Sequence, residues 1–311
     1  MRIVSFLPSA TEIVFALGLG DNLFGVTHEC DYPPEATHKP RLVNSFVETS
    51  NRASGEIDAA VRERYLSGQP LYDIDAQVLA DARPDLVITQ GLCDVCAIPS
   101  EQVNDAVSAL SPAPQVISLD PHSLDDMLGD IQRVGDAAGA SEKARSFVES
   151  LIARRDAVAS RVSLAQTRPT VACLEWLDPI LVAGHWVPEM VTIAGGEDCF
   201  GKPGEPSFKV EWPQVAQASP DVVLAMPCGF DVRRAISEVH HLTDQTDWPD
   251  LPAARQDKLF VLDGGSYYSR SGPRLIEGLE IIAEVLHPEL FSGNVPQRAA
   301  SRIYGSLFRV S

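Results

Sequence analysis

The chain has 311 residues, 45% of them apolar, and its 25 basic against 43 acidic side chains give a formal net charge of -18. This length carries two α/β lobes or one large one, and so negative a surface excludes nucleic acid and anionic lipid as partners. Apolar runs such as Leu86 to Ile88 and Val222 to Met226 fall far short of the ~20 residues of a spanning helix, so no membrane insertion is expected.

The chain opens on Arg-Ile-Val-Ser-Phe-Leu at 2–7, Pro8, and Ser-Ala-Thr-Glu-Ile-Val-Phe-Ala-Leu-Gly at 9–18, a buried strand followed at once by a helix. Ser9 and Glu12 have the Ser-x-x-Glu spacing of a capping box, which predicts that the helix starts at Ser9. Free amides at such a start point into the crevice at the strand ends, where α/β ligands bind, so Ser9, Ala10 and Thr11 are candidate ligand contacts. No basic region, apolar segment and small-residue cleavage site stand ahead of the strand. The expected location is therefore cytoplasmic, or periplasmic or otherwise extracytoplasmic if the true start lies upstream.

Further strands are predicted at 23–26, 42–44, 86–89 and 116–119, with a helix at 100–110. Strands alternating with helices imply a parallel or mixed sheet. The polar stretch Glu48–Tyr72, helical over 56–66, reads as an excursion on this lobe. Ser123 is placed to cap a helix that buries Leu124, Leu128, Ile131 and Val134, and that Gly135 and Gly139 weaken. A second helix runs from Ser141 to about Leu164, roughly 33 Å, long enough to cross from one lobe to another. From Pro169 the α/β pattern returns: strands at 171–176, 180–183, 222–226 and 259–262, and helices at 187–194, 211–218, 232–239 and 272–286. The fold class is thus α/β, with two Rossmann-like lobes joined by one long α-helix and a ligand cleft between them. The domains are 1–122, a connector at 123–167, 168–291, and a solvated tail at 292–311. The long helix is expected to limit closure to a modest movement.

At this point the chain resembles the helical-backbone substrate-binding proteins of ABC importers, the branch that binds cobalamin, siderophores, heme and metal ions. The resemblance covers about residues 1–291. It rests on 2–18, Asp21 to Val26, Pro84-Asp-Leu-Val-Ile-Thr, the helix after Ser141, Ser219-Pro-Asp-Val-Val-Leu and the closing helix at 272–286. His28-Glu-Cys-Asp-Tyr-Pro, Leu92-Cys-Asp-Val-Cys-Ala, Gly184-His-Trp-Val-Pro-Glu and Met226-Pro-Cys-Gly-Phe are similar to a signal-less, cobalamin-binding-like subgroup. The resemblance implies a binding protein rather than an enzyme, with cobalamin or a related corrinoid as ligand and ABC transporter components as partners.

The residues themselves place further candidates at strand ends. His28 and Glu29 follow one predicted strand, and Cys93 and Cys96 follow another, so a parallel sheet brings both groups to one edge. Cys93-Asp-Val-Cys96 has the spacing that offers two thiolates to one metal ion, and His28, Cys30 or Cys228 are the candidates for completing a site. The same pair also reads as a redox couple or merely as small residues lining a turn. Six cysteines in a cytosolic chain are expected to be reduced. Trp186 follows an apolar strand and offers a broad face suited to a planar macrocycle, with His185 beside it as donor or as ligand to cobalt or iron. Glu189 opens the next helix. Trp176, Phe230, Tyr267, Tyr268 and Arg270 complete the candidate contacts for a large polar ligand. No dinucleotide fingerprint, phosphate loop or nucleophile elbow occurs. The alternative is a metal- or heme-binding protein, redox or catalytic, built on the Cys/His cluster.

Overall fold

A computed structural model describes residues 1–91, 98–293, 295–296 and 298–304. Cys93 and Cys96 lie outside the described residues.

The first lobe is a six-stranded sheet of β1 (Ile3–Ser5), β2 (Leu23–Thr27), β3 (Arg41–Ser45), β4 (Tyr72–Ile74), β5 (Leu86–Gln90) and β6 (Gln115–Leu119), in the order β4-β3-β2-β1-β5-β6. All neighbours are parallel except β3 and β4. Ile3, Val4 and Ser5 are each almost fully buried, as a strand covered on both faces requires. The second lobe contains β7 (Thr170–Leu177), β8 (Ile180–Val182), β9 (Glu197–Asp198), β10 (Phe208–Lys209), β11 (Val222–Ala225), β12 (Leu259–Leu262) and β13 (Ala300–Ile303). Its order is β10-β8-β7-β11-β12-β13, with β9 added beside β7.

The connector matches its sequence pattern. Ser123 Oγ accepts the Asp126 N–H at 3.1 Å and starts the helix Leu124–Ala137. The long helix is Ser141–Val162, 22 residues. Gly135 lets the two approach closely, because a Cβ there would lie 2.3 Å from the Ala144 Cβ. On its other side the long helix meets Leu275–Leu286, where Arg154 pairs with Glu280 at 2.6 and 2.8 Å. One continuous apolar seam results. It runs from Ile3 and Val14 of the first lobe through Leu128 and Leu151 to Val171 and Leu279 of the second.

Three expectations are corrected. The first helix spans Pro8–Ala16 with Leu7 as its cap and no side-chain capping bond. Pro8 fits the first helical position, which puts Ser9 inside the helix and leaves Glu12 free of any capping role. The segment 292–311 is not wholly a tail, since Ala300–Ile303 pairs antiparallel with β12 and buries Ile303. The excursion between β3 and β4 is rooted in its own lobe but packs its helix on the other one. Its helix Ser54–Leu66 inserts Ile57 and Val61 into the second lobe's outer core, beside Leu174, Phe230 and Trp248.

Candidate ligand cleft between the lobes

The loops at the C-terminal strand ends of both lobes meet each other, and charged side chains make the junction. Glu12 is 4% exposed on the inward face of the first helix. Arg274, at the start of the helix Leu275–Leu286, grips it with a two-pronged contact: Nη2 to Oε1 at 2.6 Å and Nε to Oε2 at 3.0 Å. Arg270 lies 3.6 Å from the same carboxylate and donates to Asp31 Oδ1 and Oδ2 at 2.5 and 3.2 Å, and to the Glu29 carbonyl at 3.2 Å. Burial works against ionised Asp31, but the Arg270 hydrogen bond and charge prevail and hold its carboxyl below the usual range. Arg270 itself is held protonated, its burial outweighed by Asp31, Glu12 and Glu29. Glu29 moves the other way. Desolvation by the crevice walls raises it against the pull of His28 and Arg270, although its side chain keeps 49% of its surface open.

Aromatic side chains gather at the C-terminal strand ends of the second lobe, with Trp176 and Tyr267 half-buried and Phe230 buried. Trp176 and Phe230 meet edge to face, with ring centroids 5.2 Å apart. Arg234 stacks on Phe230, its guanidinium carbon 3.6 Å from the ring centroid. Arg274 lies 4.0 Å from the Tyr32 centroid and 5.7 Å from that of Tyr267. Burial pushes the Tyr267 hydroxyl up to about 12. The Trp176 indole N–H is buried with no protein acceptor, an orphaned donor. The first lobe contributes a cavity of about 10 Å³ lined by Phe6, Pro8, Thr27, His28, Glu29 and Tyr72 among others.

Several sequence candidates have other duties. Trp186 does not present its face to a cleft: it is 5% exposed, and its indole N–H donates to the Tyr268 carbonyl at 2.8 Å. Tyr268 is 3% exposed, with its hydroxyl donating to the Gly278 carbonyl. Both are core residues because burial of their apolar bodies is compatible with satisfied polar tips. Glu189 accepts the Leu124 N–H at 2.9 Å and so ties the second lobe to the connector. Ala10 and Thr11 are fully buried, and Thr11 Oγ1 lies 2.9 Å from Ser5 Oγ and 3.1 Å from Cys30 Sγ. Ser9 is buried against Ser271 of the other lobe, with hydroxyls 3.4 Å apart. His185 is at the junction in a left-handed backbone conformation, φ 53°. Its ring is 5.8 Å from that of His122 and 5.6 Å from Trp186, and its Nδ1 is buried without a partner. Burial and then His122 lower its pKa.

The described members of the proposed metal set, His28, Cys30 and Cys228, do not form an ion site by themselves. Among the described residues no group of three His, Cys, Asp or Glu side chains is placed to hold an ion. Cys30 is 1% exposed between Thr11 and Thr27, and burial raises its thiol pKa, so it is no ready thiolate. Cys228 is exposed, and Cys93 and Cys96 are not described. Sequence reasoning missed Glu12, Arg274, Arg234 and Glu238. A carboxylate inside an apolar helical stretch, as in Thr-Glu-Ile-Val, is the signal that points to a buried cationic partner.

Comparisons with known proteins agree with this architecture. The family model described as "Periplasmic binding protein" matches residues 3–264. An uncharacterised ABC transporter substrate-binding lipoprotein of Bacillus subtilis is 24% identical over 302 residues, 93% of this chain and 81% of its own length. The vitamin B12-binding protein of Vibrio cholerae is 24% identical over 290 residues, covering 92% and 88%. Among solved structures, the periplasmic heme-binding protein of Roseiflexus sp. RS-1 in apo form superposes with a TM-score of 0.69 at 25% identity, covering 93% of this chain and 99% of that one. The periplasmic vitamin B12-binding protein of Vibrio cholerae gives 0.68 at 20% identity, covering 92% and 96%.

Proposed function

From the premise that this chain belongs to the periplasmic binding protein family, we propose that it captures a corrinoid, cobalamin first, between its two lobes. The carrying observation is the chemistry of the junction. Half-buried Trp176 and Tyr267, the former with an orphaned indole donor, stand at the same strand-end face as ion pairs in which Arg270 can exchange Asp31 for a polar group of a ligand. Apolar walls with a few placed polar groups are what a large, amide-rich ligand needs. The vitamin B12-binding relatives span the same lobes. The ligand enters as the lobe edges separate and the Arg270–Asp31 contact breaks.

A second reading is heme, favoured by the unpartnered His185 Nδ1 at the junction. Residence in the cytosol belongs to the proposal; service to an ABC importer would instead require export. Finding the protein only in an extracytoplasmic fraction would refute the cytosolic location.

Titration of the reduced protein with cyanocobalamin, read by tryptophan fluorescence corrected for ligand absorption, tests the ligand. Saturation at micromolar or lower concentration is expected, with affinity falling ~10-fold or more in Trp176→Ala as stacking and donor are lost. No saturation with cyanocobalamin, together with a Soret shift on adding hemin, replaces the corrinoid by heme.

A further inference from the structure

We infer that residues 46–71 form a detachable strap that belongs to the first lobe by sequence, closes on the second lobe, and controls access to the cleft. This deepens the ligand-capture reading by naming how the site is regulated, and the strap itself is measurable without ligand.

The base of the strap is fixed to the first lobe. It connects β3 to its antiparallel neighbour β4, and the Phe46 N–H donates to the Leu71 carbonyl at 2.9 Å. Its far part is held across the junction by a socket on the second lobe. Glu238 is 5% exposed, and one of its oxygens, Oε2, receives both the Ser54 N–H at 3.2 Å and the Ser54 hydroxyl at 2.6 Å. Arg234, stacked on Phe230, donates to the carbonyls of Thr49 and Arg52 at 2.6 and 3.1 Å. Gly55 sits against Asp178 so closely that a Cβ would lie 2.3 Å from its Oδ2. Ile57 and Val61 complete the seat.

This seat is small and polar compared with the seam behind it. Beyond Val61 the helix turns outward, with Tyr65 65% and Leu66 77% exposed. A segment with few buried apolar residues and end-on hydrogen bonds opens at lower free energy than the core. Arg234, which holds the strap, stacks on Phe230, and Phe230 in turn meets Trp176 edge to face. Release of the strap therefore frees Arg234 and uncovers Phe230 in the same movement, which couples strap position to ligand entry.

Amide hydrogen exchange on the free full-length chain tests the strap, with Ser141–Val162 as the internal reference. The helix Ser54–Leu66 should exchange at least ~10-fold faster than the reference in the wild type, and ~10-fold faster again in Glu238→Ala, with the reference unchanged. Equal protection of the two helices in the wild type, or a parallel change in both on mutation, would overturn the inference. A tethered variant supplies the complementary arm. A Gly55 Cβ would stand 3.8 Å from the Asp178 Cβ, the spacing a disulfide spans. Oxidised Gly55→Cys/Asp178→Cys should suppress strap exchange to the reference level and slow cyanocobalamin association ~10-fold or more against its reduced form. Suppressed strap exchange with an unchanged association rate would show that access does not pass through the strap. If cyanocobalamin binds neither form, the corrinoid reading fails, while the exchange data still decide whether the strap opens.

Discussion

The two lobes touch in two places of opposite character. Behind, the long helix Ser141–Val162 joins them through an apolar seam in which Leu151, Ile282 and Leu279 are at most 1% exposed. In front, they meet through guanidinium–carboxylate pairs, serine hydroxyls and the stacking of Arg274 on Tyr32. Apolar packing is lost whenever a gap opens, because a separated surface gains water and forfeits dispersion contacts. Polar contacts can be replaced by water or by a ligand at small net cost. The same pair of lobes is therefore permanently joined on one side and reversibly closed on the other, the arrangement of a hinge and a mouth.

The contrast can be broken most severely from behind. Leu279→Ala should lower global stability by about 2–5 kcal/mol through the cavity it leaves, seen as a reduced urea midpoint with the slope retained. A cost below ~1 kcal/mol would mean that the seam is not continuous. A smaller effect of opposite sign is expected at Asp130. This carboxyl is 4% exposed on the connector helix, with Oδ2 unpartnered, and burial raises its pKa to about 6 against the opposing pull of Arg133. A carboxyl raised in the folded state contributes stability below its unfolded value, near 3.8, that is lost as pH rises through about 6. Asp130→Asn should therefore gain ~1–2 kcal/mol at pH 8 and little at pH 4, measured by thermal unfolding at both. Equal effects at the two pH values would place the strain elsewhere.

The smallest change is expected in front. Asp31 is 63% exposed, so Asp31→Asn should alter global stability by less than ~1 kcal/mol while speeding ligand exchange in stopped-flow measurements. The folded-state pKa of Asp31 is lowered, so what this contact contributes is present above the unfolded value of about 3.8 and fades as pH falls below it.

The back of the molecule was the more legible half in the sequence. Parallel strands announce themselves as short apolar runs, the Ser123 cap has a local partner, and the long helix carries Ala144, Leu151 and Val158 at helical spacing. The mouth was less legible because its partners are distant in sequence. Glu12 and Arg274 are 262 positions apart, and Ser54 and Glu238 are 184. Local grammar even misled at Ser9, where Pro8 had already taken the helix start. Trp186 was misplaced for a related reason: a tryptophan after a strand looks the same whether the Tyr268 carbonyl or a ligand waits for its N–H. Trp176 is half-buried at the end of its strand, whereas Phe230 packs into the second lobe's outer core.

The strand β13 has a practical consequence for anyone handling this chain. Ala300–Ile303 satisfies the outer hydrogen-bonding row of β12 from Leu259 to Leu262, and Arg302 fastens it by donating to the carbonyls of Gln256 and Asp257. Truncation at Phe291, where the α/β pattern ends, would bare that row along a buried, apolar strand. An uncovered edge of this kind templates pairing between molecules. The shortened protein would meet its own copies edge to edge, and insolubility on expression would reflect a missing selvage rather than a failed fold.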